Sequence, residues 1–266
     1  MYKNGLAVLF LLLLTSAGLC CAAAFAEDPA NCQSEAADAN KVDAILEQLN
    51  QETLKLVSYQ SRIEYLFSQP LLDSQTLRVG DLYYQKTDSG SVLRINFKTL
   101  KQDDEQEQKY IDQYVFDGHW LTHIDYQLKE VKKHQLADTN EPVDAFEMAG
   151  RNFPLIGFTK TKELRKEFEI KLIETEQALP DDAIQLHLKV KTTSIYKDDY
   201  VYVDFWIDKK LTLPARIVAV STEDDIYEIR LLNAGTNKKI DRKIFEVKVP
   251  EGFGEPEVIP LKRDVK

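Results

Sequence analysis

The sequence has little cysteine, and most of that little lies at its N-terminus. Three cysteines occur in 266 residues, and Cys20 and Cys21 belong to an apolar N-terminal segment. Cys32 is then the only cysteine in the remainder, so an internal disulfide is excluded and the domain depends on its hydrophobic core. Because Cys32 lies in a polar stretch, an unused thiol or an intermolecular disulfide is a better interpretation than a nucleophile.

Glycine and proline are also scarce, with ten and nine residues, which excludes a fibrous or low-complexity protein. Hydrophobic residues make up 44% of the chain, enough for a self-supporting core at this length. One domain, or at most two, is expected.

Positive charge is in deficit. The formal net charge is −10 and the sequence pI is about 5.0. Such a surface repels nucleic-acid phosphates and anionic membrane surfaces, so we expect no nucleic-acid partner and no electrostatic membrane binding.

The first 26 residues predict an export signal. Lys3 is their only charge, residues 6–14 are almost continuously apolar, and Ala24-Phe25-Ala26 forms an A-x-A cleavage site. The apolar run is too short to span a bilayer, so we expect cleavage after Ala26. Residues 17–19 (AGL) lack the Leu-small-small order of a lipidation signal, which favours cleavage over lipidation at Cys20 or Cys21.

Signatures of catalysis are missing. The chain has no Gly-x-Ser-x-Gly, no phosphate-binding loop, no paired-cysteine motif and no His-Glu-x-x-His. His119 and His123 lie four residues apart, which in a strand separates them by about 13 Å, too far to share a metal. We expect all four histidines on the solvated surface, acidic pairs in turns, and no enzyme activity, metal or cofactor.

The pattern after residue 26 predicts a helix followed by many strands. Residues 27–39 indicate a flexible lead-in, and Val42, Leu46 and Leu49 recur at helical spacing within a helix over 40–60. The period then changes to two, with a tight turn at Asp117-Gly118 and a charged hairpin tip over 101–112. About ten strands, short turns and two helical regions favour an α+β, mainly β fold: a curved antiparallel meander with helices against one face.

Four short stretches carry a family resemblance. They are residues 80–86 (GDLYYQK), 115–121 (VFDGHWL), 203–217 and 245–252. Their order and spacing, after an export signal and one helix, resemble the periplasmic lipoprotein carriers, the LolA-like family. The resemblance covers roughly residues 40–255, and we assign the domain to 40–260.

The resemblance implies a half-open antiparallel barrel whose concave apolar face is covered by helices. It also implies a periplasmic carrier that shields the acyl chains of lipoproteins, or another lipid, in transfer towards the outer membrane. The cavity-lining candidates are Leu82, Tyr84, Leu93, Ile95, Phe97, Trp120, Ile124, Val201, Val203, Phe205 and Ile207. The lid candidates are Leu46, Leu49, Phe153, Leu155, Ile156 and Phe158.

One position departs from the family pattern. Members often carry Arg-Pro where this chain has Lys86-Thr87, and that arginine contacts the helical lid. Lysine keeps the charge but not the planar fork of donors, so a lid latch at Lys86 would be looser.

Implied partners are lipid acyl chains, an inner-membrane complex that releases the cargo and an outer-membrane receptor, and we expect a monomer. Two other functions stay open: an envelope module of the same fold that binds or senses a protein, and a hydrolase of envelope polymers. A filled core with an exposed apolar groove would favour the module, and close carboxylates in a cleft would favour the hydrolase.

Overall fold

A computed structural model describes residues 29–88, 90–138, 143–145, 161–173 and 183–261. The chain begins with helix α1 (Pro29–Lys55) and continues into β1 (Ser58–Gln69). The remaining elements are a 3-10 turn (Pro70–Leu72), β2 (Ser74–Thr87), β3 (Gly90–Gln102), β4 (Gln108–Phe116), β5 (Trp120–Asp125), β6 (Glu130–Gln135), α2 (Thr161–Glu167), β7 (Phe168–Ile173), β8 (Ala183–Val190), β9 (Tyr200–Asp208), β10 (Leu213–Ser221), β11 (Ile226–Thr236), a 3-10 turn (Arg242–Phe245) and β12 (Glu257–Ile259).

All twelve strands form one sheet, in the order β12-β6-β5-β4-β3-β2-β1-β11-β10-β9-β8-β7. Every neighbouring pair is antiparallel except β12 with β6, which is parallel. Because β12 and β7 lie at opposite ends of this order, the described sheet is open. The expected mainly β architecture is confirmed in this coarser form, with twelve strands where about ten were expected.

One face of the sheet encloses the main core. A single cluster of buried side chains draws on α1, β1 to β4 and β7 to β11, so the sheet curves around it and this face is concave. Tyr59, Ile63, Leu82 and Tyr84 belong to the cluster and alternate with outward residues, as strand geometry requires.

The C-terminal segment crosses the opposite, convex face. The Arg94 guanidinium on β3 donates to the carbonyls of Ile244 (2.8 Å) and Glu246 (2.9 Å), and the Phe253 ring packs edge-on against Tyr126. Desolvation at this site lowers the pKa of Arg94 from its usual value. β12 then adds to the edge of β6, so the tail protects that edge.

The sequence-based element boundaries need four corrections. The helix runs from Pro29 to Lys55 and not over 40–60, so residues 29–39, expected to be part of a flexible lead-in, are helical, and Val57 beyond the helix is exposed. The strand expected over 244–249 is a 3-10 turn followed by irregular chain, and the charged tip is confined to 103–107 because β3 and β4 extend into it. β6 escaped prediction because Val131 is the only aliphatic residue in it, which leaves no alternation to detect.

Gly80 allows β2 and β3 to approach closely at a break in their register between Val79 and Gly80. A Cβ at this position would overlap the carbonyl of Asn96 on β3, where backbone cannot yield easily. Gly254, by contrast, has no atom within 4 Å of such a Cβ.

We expect Gly80→Ala to lower the free energy of unfolding by about 1–3 kcal/mol, because the added methyl forces the two strands apart. Urea denaturation measures this, with Gly254→Ala as the matched control that changes stability by less than about 0.5 kcal/mol. Equal stability of the two variants would contradict the assigned register.

Candidate functional site

The concave face brings together most of the predicted cavity-lining residues. Leu82, Tyr84, Leu93, Phe97, Val203, Phe205 and Ile207 are buried there in one cluster, and Ile95 packs against it half-buried. The cluster also contains Val42, Leu46 and Leu49 of α1. The lid candidates Leu46 and Leu49 therefore do lie over the concave face, where they are 4% and 1% exposed.

Three predicted lining residues lie elsewhere. Trp120 and Ile124 alternate with Leu121, which packs on the main cluster, so both face the convex side. Ile124 is fully buried there opposite Val131, and the Lys133 ammonium lies 5.4 Å from the Trp120 ring. The prediction failed because both faces of β5 are covered, so hydrophobicity alone cannot show which of its residues belong to the concave face of the sheet. Val201 is 45% exposed at the start of β9.

The remaining lid candidates, Phe153, Leu155, Ile156 and Phe158, lie outside the described residues. The segment that leads towards them is anchored to β2 and β3. The hydroxyls of Tyr84 and Ser91 donate to Asp144 (3.0 and 2.8 Å), and the backbone N–H of Ala145 donates to Ser91 (2.7 Å). Burial, and then the Asp144 carboxylate, raise the pKa of Tyr84, so its hydroxyl remains a donor. These contacts escaped sequence reasoning because they join residues more than fifty positions apart.

Lys86, the lid-latch candidate, contacts the end of α1. Its ammonium donates to the carbonyl of Leu54 at 2.8 Å, and its backbone N–H donates to the carbonyl of Val57. The last carbonyls of a helix lack intrahelical donors, and a cation there complements the helix dipole. Lys86 of β2 thus satisfies one of these carbonyls.

A band of aromatic rings runs along one edge of the concave face. We call this edge, where β1 ends and β2 begins, the upper rim. The rings form two groups, described here by the distances between ring centroids. In the first, Tyr227 lies 5.0 Å from Phe67 and 6.2 Å from Tyr200. In the second, the distances are 6.3 Å from Tyr65 to Phe97, 6.4 Å from Phe97 to Tyr114 and 4.4 Å from Tyr114 to His123. Burial raises the pKa of Tyr65 to about 12, with a further contribution from nearby Tyr227.

A buried carboxylate lies within this aromatic band. Asp112 on β4 is paired with Phe97, and its side chain is 3% exposed. It accepts hydrogen bonds from Arg78 (3.3 Å) and the Tyr114 hydroxyl (3.1 Å), and Nε2 of His123 lies 2.6 Å away. We name Arg78, Asp112, Tyr114 and His123 the rim cluster.

The rim cluster corrects the expectation that every histidine is simply solvated. Asp112, Tyr114 and His123 all lie at strand positions that face the concave side. The alternation of each strand was the sequence signal that could have predicted this. His187 is also bonded to a carboxylate, with Nδ1 2.7 Å from Asp204 on the convex face. Within the described residues, no group of three or more His, Cys, Asp or Glu side chains is arranged to hold a metal.

A pocket of about 550 Å³ opens beside the aromatic band. Its walls include Tyr196, Tyr200 and Tyr227, and its mouth carries several carboxylates, among them Asp199 and Asp225. The side of the concave face near β9 is therefore acidic, whereas the rim cluster places the Arg78 guanidinium near β4.

In the described part of the chain, no helix is both long enough and apolar enough for a membrane span.

No family model and no curated protein sequence matches the chain. Its structure is similar to a LolA superfamily protein from Nitrosomonas europaea (11% identity, TM-score 0.33, 77% of this chain and 97% of that chain). It is also similar to the Mycobacterium tuberculosis lipoprotein LppX (11% identity, TM-score 0.43, 75% and 98%) and to the Pseudomonas aeruginosa MucA/MucB complex structure (12% identity, TM-score 0.44, 77% and 60%). The match thus covers less than two thirds of the matched protein chain in the MucA/MucB structure. One of these solved structures is that of a protein from the superfamily that the sequence resembles.

We expect Lys86→Met to lower the free energy of unfolding by about 0.3–1 kcal/mol, because the Leu54 carbonyl loses a charged donor. Hydrogen exchange of the last turn of α1 should quicken in the same variant. Lys86→Arg should restore protection, and Lys98→Met, which removes an exposed lysine bound to Asp81, is the control. Equal protection in Lys86→Met and Lys98→Met would contradict a latch at this position.

Proposed function

We propose that this protein is an exported carrier that holds a lipid acyl chain, free or attached to a lipoprotein, on the concave face of its sheet. The observation that carries the proposal is that partly buried apolar side chains lie beside the buried core of this face. Among the described elements, α1 runs closest to β7, β10 and α2. On the part of the concave face formed by β1 to β5, Leu82, Leu93 and Phe97 are buried. Tyr65, Ile95, Tyr114 and Leu121 beside them are only partly buried.

A partly covered apolar surface matches the physical needs of a carrier. Each methylene removed from water contributes about 0.8 kcal/mol, so a long acyl chain requires an apolar surface that excludes water. Release requires a cover that can move. Lys86 holds α1 at its C-terminal end, and the ion pair of Arg165 with Asp43 (2.5 Å) holds it near its middle. Exposed hydrogen bonds and ion pairs of this kind break at low cost.

The export signal supports action outside the inner membrane, and delivery towards an outer membrane is part of the proposal. An acidic surface keeps such a carrier soluble between membranes. No step of this role requires a catalytic residue or a cofactor.

Native mass spectrometry tests the proposal. The full chain is expressed in a bacterium with two membranes, recovered from the periplasm without detergent, and measured before and after solvent extraction. We expect adducts that disappear on extraction and are recovered as acylated species. A bare polypeptide mass that does not change when lipid or lipoprotein is added would overturn the carrier.

A matched pair of substitutions on β3 locates the bound chain. Ile95 faces the groove between Leu82 and Tyr114, whereas Val92 on the same strand faces the convex side. We expect Ile95→Gln to weaken lipid binding roughly tenfold, because it places an amide in the apolar surface, and Val92→Gln to leave binding unchanged. Equal effects in a lipid-binding titration would contradict binding on the concave face.

The alternative is a module whose surface binds a protein, and one observation favours it. Leu71 and Leu72, at the tip between β1 and β2, are 80% and 69% exposed at the upper rim. Exposed apolar residues on a loop tip are typical of contact sites for other molecules. A bare mass in the experiment above would favour this alternative.

A further inference from the structure

Arg78 has more hydrogen-bonding capacity than the described residues use. A guanidinium carries five N–H donors, and Arg78 makes one hydrogen bond, 3.3 Å long, to Asp112. The Tyr110 ring also lies beside it, with its centroid 5.3 Å from the guanidinium carbon. Four N–H groups therefore have no protein partner among the described residues.

Arg78 is also placed where a ligand in the groove would end. It faces the concave side next to Tyr65 in the β1–β2 register, at the upper rim of the sheet. Its side chain is 29% exposed, so the remaining donors are accessible. The partly buried apolar surface of Tyr65, Ile95 and Tyr114 leads towards it.

Asp112 orients this guanidinium and does not compete as a binding group. Its carboxylate is 3% exposed and contacts Arg78, Tyr114 and His123, so little of it is open to a ligand. Its charge offsets that of Arg78, which allows an arginine at the edge of an apolar face. The accessible group of the rim cluster is thus a cation with free donors, and its chemical complement is an anion.

We propose that Arg78 binds the anionic head group, a carboxylate or a phosphate monoester, of an amphiphile whose acyl chain lies on the concave face. This inference rests on the proposed carrier function and adds the class of cargo. Planar guanidinium donors match the oxygens of either head group, and such charge-assisted hydrogen bonds are among the strongest in proteins. The acyl chain of the ligand supplies the hydrophobic affinity, and Arg78 supplies the preference for an anionic head group.

The test uses the full chain and two fluorescent probes that differ only in charge, cis-parinaric acid and its methyl ester, at a slightly alkaline pH where the carboxylate is ionised. We expect the acid to bind roughly tenfold more tightly than the ester. Arg78→Gln should remove that preference by weakening acid binding alone. Arg62→Gln, which removes a 53% exposed arginine of β1 that faces the convex side, is the matched control and should keep the preference.

Competition separates the two head groups and the role of the chain. Hexadecanoate and hexadecyl phosphate should each displace parinaric acid from the unsubstituted protein better than hexadecanol does. If only one of them does, that head group is the ligand. Acetate and inorganic phosphate, which have no chain, should not displace the probe. Displacement by these ions alone would overturn the proposal in favour of a free-anion site.

The outcomes distinguish the two proposals. If the unsubstituted protein binds acid and ester equally, head-group selection is overturned while the carrier stands. If it binds neither probe, binding of single-chain lipids is overturned as well. Equal weakening of both probes in Arg78→Gln would show a structural effect and overturn the assignment to Arg78. Because the acid-to-ester ratio needs no variant, the proposal stays testable even if Arg78→Gln fails to fold.

Discussion

The contact between α1 and the concave face is the interaction on which the rest of the structure depends. Val42, Leu46 and Leu49 pack into the concave face of a curved sheet, and the described residues form no second sheet against that face. A sheet open at both edges would otherwise leave this face in water. By packing near β7 and β10, the helix removes the apolar side chains of this part of the face from water.

Two carboxylates on this face have side-chain partners. Asp112 and Asp144 are placed at opposite ends of the groove, and each accepts hydrogen bonds from a tyrosine hydroxyl and from another side chain. Unpartnered, either carboxylate would cost several kcal/mol in free energy. Each carboxylate is therefore stabilised by partners at its own end of the concave face.

Alternation along the strands predicted which residues share much of the concave face. It placed Leu82, Tyr84, Phe97 and Phe205 on one face because every second residue of a strand faces the same way. It failed for Trp120 and Ile124, because the C-terminal segment covers the convex face of that part of the sheet. When a strand is buried on both sides, neither of its faces is polar, so the sequence does not show which residues face the concave side.

The sequence by itself determined the mainly β class of fold, the main helix and most strands, since periodicity and composition are local properties. The tertiary structure alone decided which residues meet across the sheet. Arg78 and Asp112 lie on strands separated by β3, and their ion pair exists only because register brings them within 3.3 Å. The same holds for Lys86 and the end of α1. Such contacts depend on long-range pairing, which no local pattern encodes.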